Sequence, residues 1–211
     1  MRRLFRTNVI AIEGVHGSGK SSLCEYIKKF HSEQFYVLDE AFLNDTTQSV
    51  EKSTPFHPQS LIMETMWTCR WFTRILEHRE ASRGRTIIVD RSPYSAMAYV
   101  RPSEPGRDIL KPLIKDSLRE LRESHNVNLK TIYLRVQDTD VLYRRITERL
   151  NEARQELNEG SKQHLLSVHN FYESMMSDTW DYVVSNELQD ITNLNKVYDD
   201  FNKCHSLVAC K

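Results

Sequence analysis

The sequence has no excess of charge, no long apolar run and little cysteine. Its 29 Lys and Arg balance 29 Asp and Glu, so no bulk basic field indicates a nucleic-acid polymer as partner. No apolar run approaches the roughly 18–20 residues that cross a bilayer. The cysteines at 24, 69, 204 and 210 show no C-x-x-C spacing, which argues against a zinc site or a disulfide framework and favours a reducing cytosol. We therefore expect a cytoplasmic protein that acts on a small molecule, not on a membrane or a nucleic acid.

The length and composition are typical of one globular domain. With 211 residues, 39% of them hydrophobic, the chain has room for one substantial core and no second full domain. Five apolar runs predict strands at 9–13, 35–38, 86–91, 130–136 and 181–184. Helical patterns separate them, at 22–30, 59–79, 92–100, 108–124, 140–157, 163–176 and 194–207. This alternation predicts a doubly wound α/β fold with a parallel sheet, in which ligands bind at the carboxyl ends of the strands.

A glycine-rich segment follows the first strand directly. Gly14-Val15-His16-Gly17-Ser18-Gly19-Lys20-Ser21 stands between a strand and a helix, which is the context of a P-loop. Its backbone N–H groups and the helix N-terminus favour a phosphate chain. Lys20 is predicted to reach the transferred phosphate, and Ser21 to ligate Mg²⁺. The predicted triphosphate-binding residues are Gly14, His16, Gly17, Ser18, Gly19, Lys20, Ser21 and Ser22.

Charged residues also follow the second and third predicted strands. Asp90 stands where an acidic residue holds Mg²⁺ in P-loop enzymes, although an Asp there can instead cap the next helix. Arg91 can orient an acceptor and stabilise transition-state charge, or form a structural salt bridge. It points away from Asp90 if strand geometry continues. Glu40 can take the proton of an attacking hydroxyl, with Asp39 as its rival.

Two predicted helices carry further candidates. The helix after the fourth strand contains Arg149 and Arg154, which form either a lid over the phosphates, at about residues 144–161, or a solvated charged face. The long helix at 59–79 carries Met63, Trp67 and Arg70. Because Trp67 and Arg70 are three residues apart, they share a helix face and can form a nucleobase pocket. The alternative is that these aromatic and methionine side chains belong to the core.

Several segments resemble the deoxynucleoside kinase and thymidylate kinase superfamily. Residues 13–22 resemble its P-loop, with a histidine like that of herpesviral-type thymidine kinases, and residues 90–95 are similar to the acidic-Arg-Ser motif of deoxynucleoside kinases. The resemblance implies that the γ-phosphate of ATP, with Mg²⁺, passes to the 5′-hydroxyl of a deoxynucleoside. It implies Glu40 as the base, Arg91 at the 5′ end and Arg149 as a phosphate ligand. It also suggests a homodimer.

The chain departs from that pattern in ways that support a second hypothesis. Asn151 stands where a second lid arginine is expected, so Arg154 would substitute, and Ala41 replaces the usual proline after Glu40. Arg70 in the middle of its helix looks like the arginine of thymidylate kinases, which would bind the phosphate of a nucleoside monophosphate. Against this, Ser92 follows Asp90-Arg91 where those enzymes have an aromatic residue or histidine. A P-loop switch without a small-molecule acceptor is the third hypothesis.

Overall fold

The fold consists of alternating strands and helices in the order that the apolar pattern predicts. The computed structural model describes residues 6–39, 56–57, 59–100, 105–150, 160–176, 178–186 and 194–209. Its elements are β1 (Thr7–Glu13), α1 (Lys20–Phe30), β2 (Phe35–Leu38), α2 (Leu61–Ala81), β3 (Thr86–Asp90), α3 (Tyr94–Tyr99), α4 (Gly106–His125), β4 (Val127–Arg135), α5 (Thr139–Thr147), α6 (Lys162–Ser174), β5 (Tyr182–Ser185) and α7 (Leu194–Ala209). None of the helices in these ranges is long and apolar enough to cross a membrane.

The five strands form one parallel sheet in the order β2-β3-β1-β4-β5. The predicted α/β fold is therefore confirmed. β1 lies in the centre, with Ile12 opposite Asp90 of β3 and Glu13 opposite Tyr133 of β4. Because all strands run the same way, the residues that follow β1 and β3 meet at one edge of the sheet. This register brings the P-loop next to Asp90.

Helices cover both faces of the sheet. Alternate residues of a strand point to opposite faces, and both faces of β1 are buried. Ile10 and Ile12 belong to one apolar cluster with α1 and α7, whereas Val9 and Ala11 belong to another with Trp71 of α2. A third cluster joins α3, α4, α5 and α6. The central strand is thus held rigidly, and so is the start of the P-loop.

α5 is shorter than predicted. Asp138 caps it, because its side chain accepts hydrogen bonds from the backbone N–H groups of Asp140 and Val141. The helix ends at Thr147 instead of continuing to about 157, since the N–H of Arg149 donates to Ile146 (3.0 Å) and that of Leu150 to Thr147 (3.3 Å). These three-residue spacings tighten the chain into a turn. Residues 151–159, which contain the rest of the predicted lid helix, lie outside the described residues.

Candidate active site

The P-loop requires glycine at positions that no other residue would fit. Gly17 and Gly19 have φ angles of 82° and 96°, in the left-handed region that glycine adopts readily. A Cβ on Gly17 would lie 3.0 Å from the carbonyl oxygen of Leu142, and one on Gly19 would lie 2.8 Å from Asn186 Nδ2. The loop is therefore in close contact with α5 and with the residue after β5, and its curvature depends on both glycines.

The Lys20 side chain lies inside the curve of the P-loop. Lys20 is the first residue of α1 and is buried, and its Nζ donates to the carbonyl oxygens of Gly14 (2.8 Å) and Val15 (3.1 Å). The ammonium group therefore already lies inside the curve that a phosphate chain would occupy. A phosphate oxygen can replace the carbonyl oxygens as its acceptor, because a lysine ammonium offers three donors.

Two side chains from distant elements hold the loop from outside. Arg145 of α5 is buried and donates from Nη1 to the carbonyl oxygen of Gly17 at 3.1 Å. Asn186, which follows β5, donates from Nδ2 to the carbonyl oxygen of Ser18 at 2.7 Å. The sequence analysis did not assign either residue to the site. The available signals were that Asn186 directly follows β5 and that Arg145 belongs to the arginine-rich helix after β4.

Ser21 and Asp90 form the pair that suits a magnesium ion. The Ser21 hydroxyl donates to Asp90 Oδ2 at 2.8 Å, and Asp90 is the buried last residue of β3. Hydroxyl and carboxylate oxygens are the hard ligands that Mg²⁺ takes, usually together with water and substrate phosphates. The described residues contain no cluster of three or more His, Cys, Asp or Glu that could hold a metal by itself. The pair therefore fits a metal that arrives with the nucleotide.

The chain leaves strand geometry at Arg91. Its φ angle is 76°, which is not a strand conformation. The expectation that Arg91 points away from Asp90 assumed that strand geometry continues, so it does not apply. The backbone N–H of Arg91 donates to the carbonyl oxygen of Ile12 at 3.0 Å. The Trp71 indole N–H donates to the Arg91 carbonyl oxygen, also at 3.0 Å. A left-handed non-glycine residue costs about 1–3 kcal/mol and persists only where surrounding contacts impose it, as these two hydrogen bonds do.

The Arg91 side chain turns toward the P-loop. Its guanidinium carbon lies 4.9 Å from the centre of the Tyr99 ring, and that ring meets the His16 ring edge-on at 4.8 Å. A small cavity of about 50 Å³ lies beside these groups. It is lined by His16, Gly17, Gly19, Lys20, Ser21, Ser22, Arg91 and Arg149. The structure therefore brings eight of the predicted site residues together around one cationic pocket.

Glu64 is an ionisable neighbour of Arg91 that the sequence analysis missed. It lies in the first turn of α2, seven residues before Trp71 and thus on nearly the same helix face. Burial raises the pKa of its carboxyl to about 8, although the positive charge of Arg91 opposes this rise. A carboxyl in this position changes its charge near neutral pH. Strongly perturbed pKa values of this kind are found more often at functional sites than elsewhere.

Glu13, at the end of β1, connects the P-loop to the segment after β3. Its fully buried carboxylate accepts hydrogen bonds from the backbone N–H of Ser92 (2.6 Å) and from the Ser92 hydroxyl (2.5 Å). It also accepts from the hydroxyls of Ser95 (2.9 Å) and Tyr172 (2.8 Å). Burial and the nearby Glu13 raise the pKa of Tyr172 well above its usual value. Four donors therefore hold the carboxylate between three elements.

The remaining predicted residues are not in the phosphate cavity. Met63 is buried and the half-buried Trp67 packs against two apolar clusters, which matches the core alternative. Arg70 is half-buried on α2. Asp39 pairs with Lys28 at 3.2 Å on the surface. Glu40, Arg154 and the residues between 40 and 55 lie outside the described residues.

The comparisons agree with this geometry. A glycine-curved loop between β1 and α1, a lysine inside it and a serine–aspartate pair at its edge define a P-loop nucleotide-binding domain of the kinase and NTPase class. A family model described as AAA domain matches residues 10–166. Since this match covers well over half of the chain, the protein belongs to the AAA domain family. No curated protein matches it.

Proposed function

We propose that the protein transfers the γ-phosphate of ATP to the 5′-hydroxyl of a deoxynucleoside. The observation that carries this proposal is the position of Arg91, which lines the phosphate cavity together with Lys20. A guanidinium at this place can orient a hydroxyl acceptor and stabilise the charge that develops on the transferred phosphoryl group. The resemblance of residues 90–95 to deoxynucleoside kinases supports the same acceptor.

The place of Arg70 argues against the second hypothesis, a monophosphate kinase. Trp71 marks the side of α2 that contacts Arg91, since its indole binds the Arg91 carbonyl. Arg70 lies about 100° from Trp71 around the helix axis, and farther still from Glu64. A second cation for a substrate phosphate would be expected on the Arg91 side. We retain the monophosphate kinase as the alternative, because Arg70 has a long and rotatable side chain.

In the proposed reaction each residue of the cavity has a distinct task. Lys20 exchanges its carbonyl acceptors for phosphate oxygens, while Arg145 and Asn186 keep the loop in shape. Ser21 and Asp90 would hold Mg²⁺, which neutralises charge on the phosphate oxygens when it is bound.

Arg91 orients the acceptor and stabilises charge on the transferred group. The 5′-oxygen forms a bond to the γ-phosphorus as the bond to ADP breaks, and the hydroxyl proton passes to a carboxylate. The resemblance assigns that last task to Glu40. We also expect a homodimer in a reducing cytosol.

A substrate panel tests the proposal. Purified protein with Mg-ATP is assayed with thymidine, deoxycytidine, deoxyguanosine, deoxyadenosine and their 5′-monophosphates, and product formation is measured by chromatography. We expect turnover of at least one nucleoside, and Arg91→Ala should lower its kcat by about 10²–10³. Arg79→Ala, in the last turn of α2 and outside the cavity, is the control for loss of an arginine. Turnover of monophosphates alone would reject the proposal in favour of the alternative.

A further inference from the structure

A second cavity, of about 420 Å³, lies at the other end of the sheet. The second half of α4 forms one wall, the beginning of β4 forms the other, and Thr179 and Asp181 close one side. We call it the α4–β4 groove. Val127, in its lining, pairs with Thr7 at the start of β1, whereas the P-loop follows the end of that strand. Strand geometry therefore places the Val127 end of the groove about 20 Å from the phosphate site.

The α4 side of the groove carries three cationic side chains. Lys115, Arg119 and Arg122 line it from α4, and their spacings of four and three residues place them on one helix face. The one acidic residue in the lining, Asp181, is already bonded to Lys130 (2.5 Å) and to the backbone N–H of Thr131 (2.8 Å). The charges of Lys130 and Asp181 cancel. The three cations of α4 therefore give the groove a net positive charge.

Arg119 and Arg122 already form ion pairs, but these pairs would compete only weakly with a bound ligand. Arg119 pairs with Asp116 at 3.0 Å and Arg122 with Glu123 at 3.9 Å, and all four side chains are more than half exposed. Exposed pairs of this kind contribute about 0–1 kcal/mol. A multiply charged anion in the groove would replace them at little energetic cost.

Apolar groups complete the lining. Leu118 and Leu121 of α4, Val127 and Leu129 of β4, and Tyr94 also line the groove. The volume falls within the range of about 300–1,000 Å³ that is usual for small-molecule sites. Apolar and aromatic surface beside three cations is complementary to a molecule with a ring system and a phosphate chain.

One short helix joins this groove to the active site. Tyr94, the first residue of α3, lines the groove. Tyr99, the last residue of α3, carries the Arg91 guanidinium over its ring at 4.9 Å. Between them, Ser95 donates to Glu13 at the base of the P-loop. A ligand that shifts Tyr94 therefore acts on a helix that contacts both Arg91 and Glu13, the residue directly before the P-loop.

We propose that the α4–β4 groove is a second binding site, for a phosphate-bearing small molecule of nucleotide size, and that its occupant modulates phosphoryl transfer through α3. The modulation rests on the proposed function, whereas the binding does not. Calorimetric titration tests the binding in a Lys20→Ala background, which removes the lysine of the P-loop. The probes are inorganic tripolyphosphate and thymidine 5′-triphosphate.

We expect thymidine triphosphate to bind at one site, more tightly than tripolyphosphate, because only the nucleotide reaches the apolar lining. Arg119→Glu with Arg122→Glu should weaken this binding at least tenfold. Lys111→Glu, on the same helix but outside the lining, is the matched control for charge reversal. Binding that survives the double reversal, or tripolyphosphate bound as tightly as the nucleotide, would overturn the site.

The modulation is measured on the unmodified enzyme at saturating ATP, which suppresses competition at the donor site. Adding thymidine triphosphate should change kcat at least twofold, and the change should vanish in the Arg119→Glu, Arg122→Glu variant while its basal kcat stays the same. An equal effect in both proteins would place the nucleotide in the active site and overturn the proposal. Absence of nucleoside turnover would reject the proposed function and leave the titration as the deciding result for the groove.

Discussion

The P-loop, which is the donor half of the site in the proposed function, and the surroundings of Arg91, which are its proposed acceptor half, are held in different ways. In the donor half, Lys20, Arg145 and Asn186 hydrogen-bond to the carbonyl oxygens of the P-loop at 2.7–3.1 Å. In the acceptor half, Arg91 rests on an aromatic ring and beside a carboxyl, and both partners come from other helices. The donor half is thus shaped by its own loop and a few direct bonds, whereas the acceptor half is assembled by the packing of α2 and α3.

The largest expected effect is that of removing the Lys20 ammonium group from the donor half. Lys20→Ala should lower kcat/KM for Mg-ATP by about 10²–10³, because the variant loses the ammonium inside the loop. Lys28→Ala is the matched control, since Lys28 lies on the exposed side of the same α1 helix. Steady-state kinetics checks both. A loss of similar size in the two variants would show that the effect is not specific to the loop.

The next effect concerns the residue that joins the two halves. Glu13→Ala should lower the free energy of unfolding by about 3 kcal/mol, because the hydroxyls of Ser92, Ser95 and Tyr172 lose their buried acceptor. Glu13→Gln keeps an acceptor and should lose less. Urea unfolding measures the change, with the exposed Glu80→Ala on α2 as control. If Glu13→Ala is as stable as the control, the carboxylate does not hold the halves together.

The third effect concerns the acceptor half and appears gradually with pH. The Glu64 carboxyl has a pKa of about 8 in the folded chain, against 4.5 for a free glutamate. The folded protein therefore binds a proton that the unfolded chain has released, and stability is lost as the pH rises from about 4.5 toward 8.

Glu64→Gln should remove this loss, which amounts to about 1 kcal/mol per pH unit. Thermal melts of the variant and of the unmodified protein between pH 5.5 and 8 measure the difference. It should widen toward alkaline pH. Parallel curves would mean that Glu64 ionises normally and does not lie in a desolvated position beside Arg91.

The donor half was largely predictable from the sequence. Its strand, loop and helix are contiguous, so the glycines, Lys20 and Ser21 could be placed by spacing alone. Asp90 followed from the rule that parallel strands end at one edge. The supporting side chains could not be found this way, because Arg145 and Gly17 are 128 residues apart and Asn186 and Ser18 are 168 apart. No local pattern indicates such contacts.

The acceptor half was less predictable for a different physical reason. Arg91 adopts a left-handed backbone without glycine or asparagine at that position, and only tertiary hydrogen bonds impose this. Glu64 has the same helical spacing as solvated residues, and nothing in the sequence reveals that Arg91 lies opposite. Trp67 has the spacing of a ligand-binding residue, yet it packs in the core. Helical periodicity identifies a buried face without identifying its neighbours.

The hydrogen bond between Trp71 and Arg91 gives the molecule an intrinsic optical probe. Trp71 is fully buried, and its indole N–H is bonded to the backbone of the residue that lines the phosphate cavity. Indole emission depends on the local field and on this hydrogen bond. We therefore expect a substrate that moves Arg91 to change the fluorescence of Trp71, which would report occupation of the acceptor half in real time without a label.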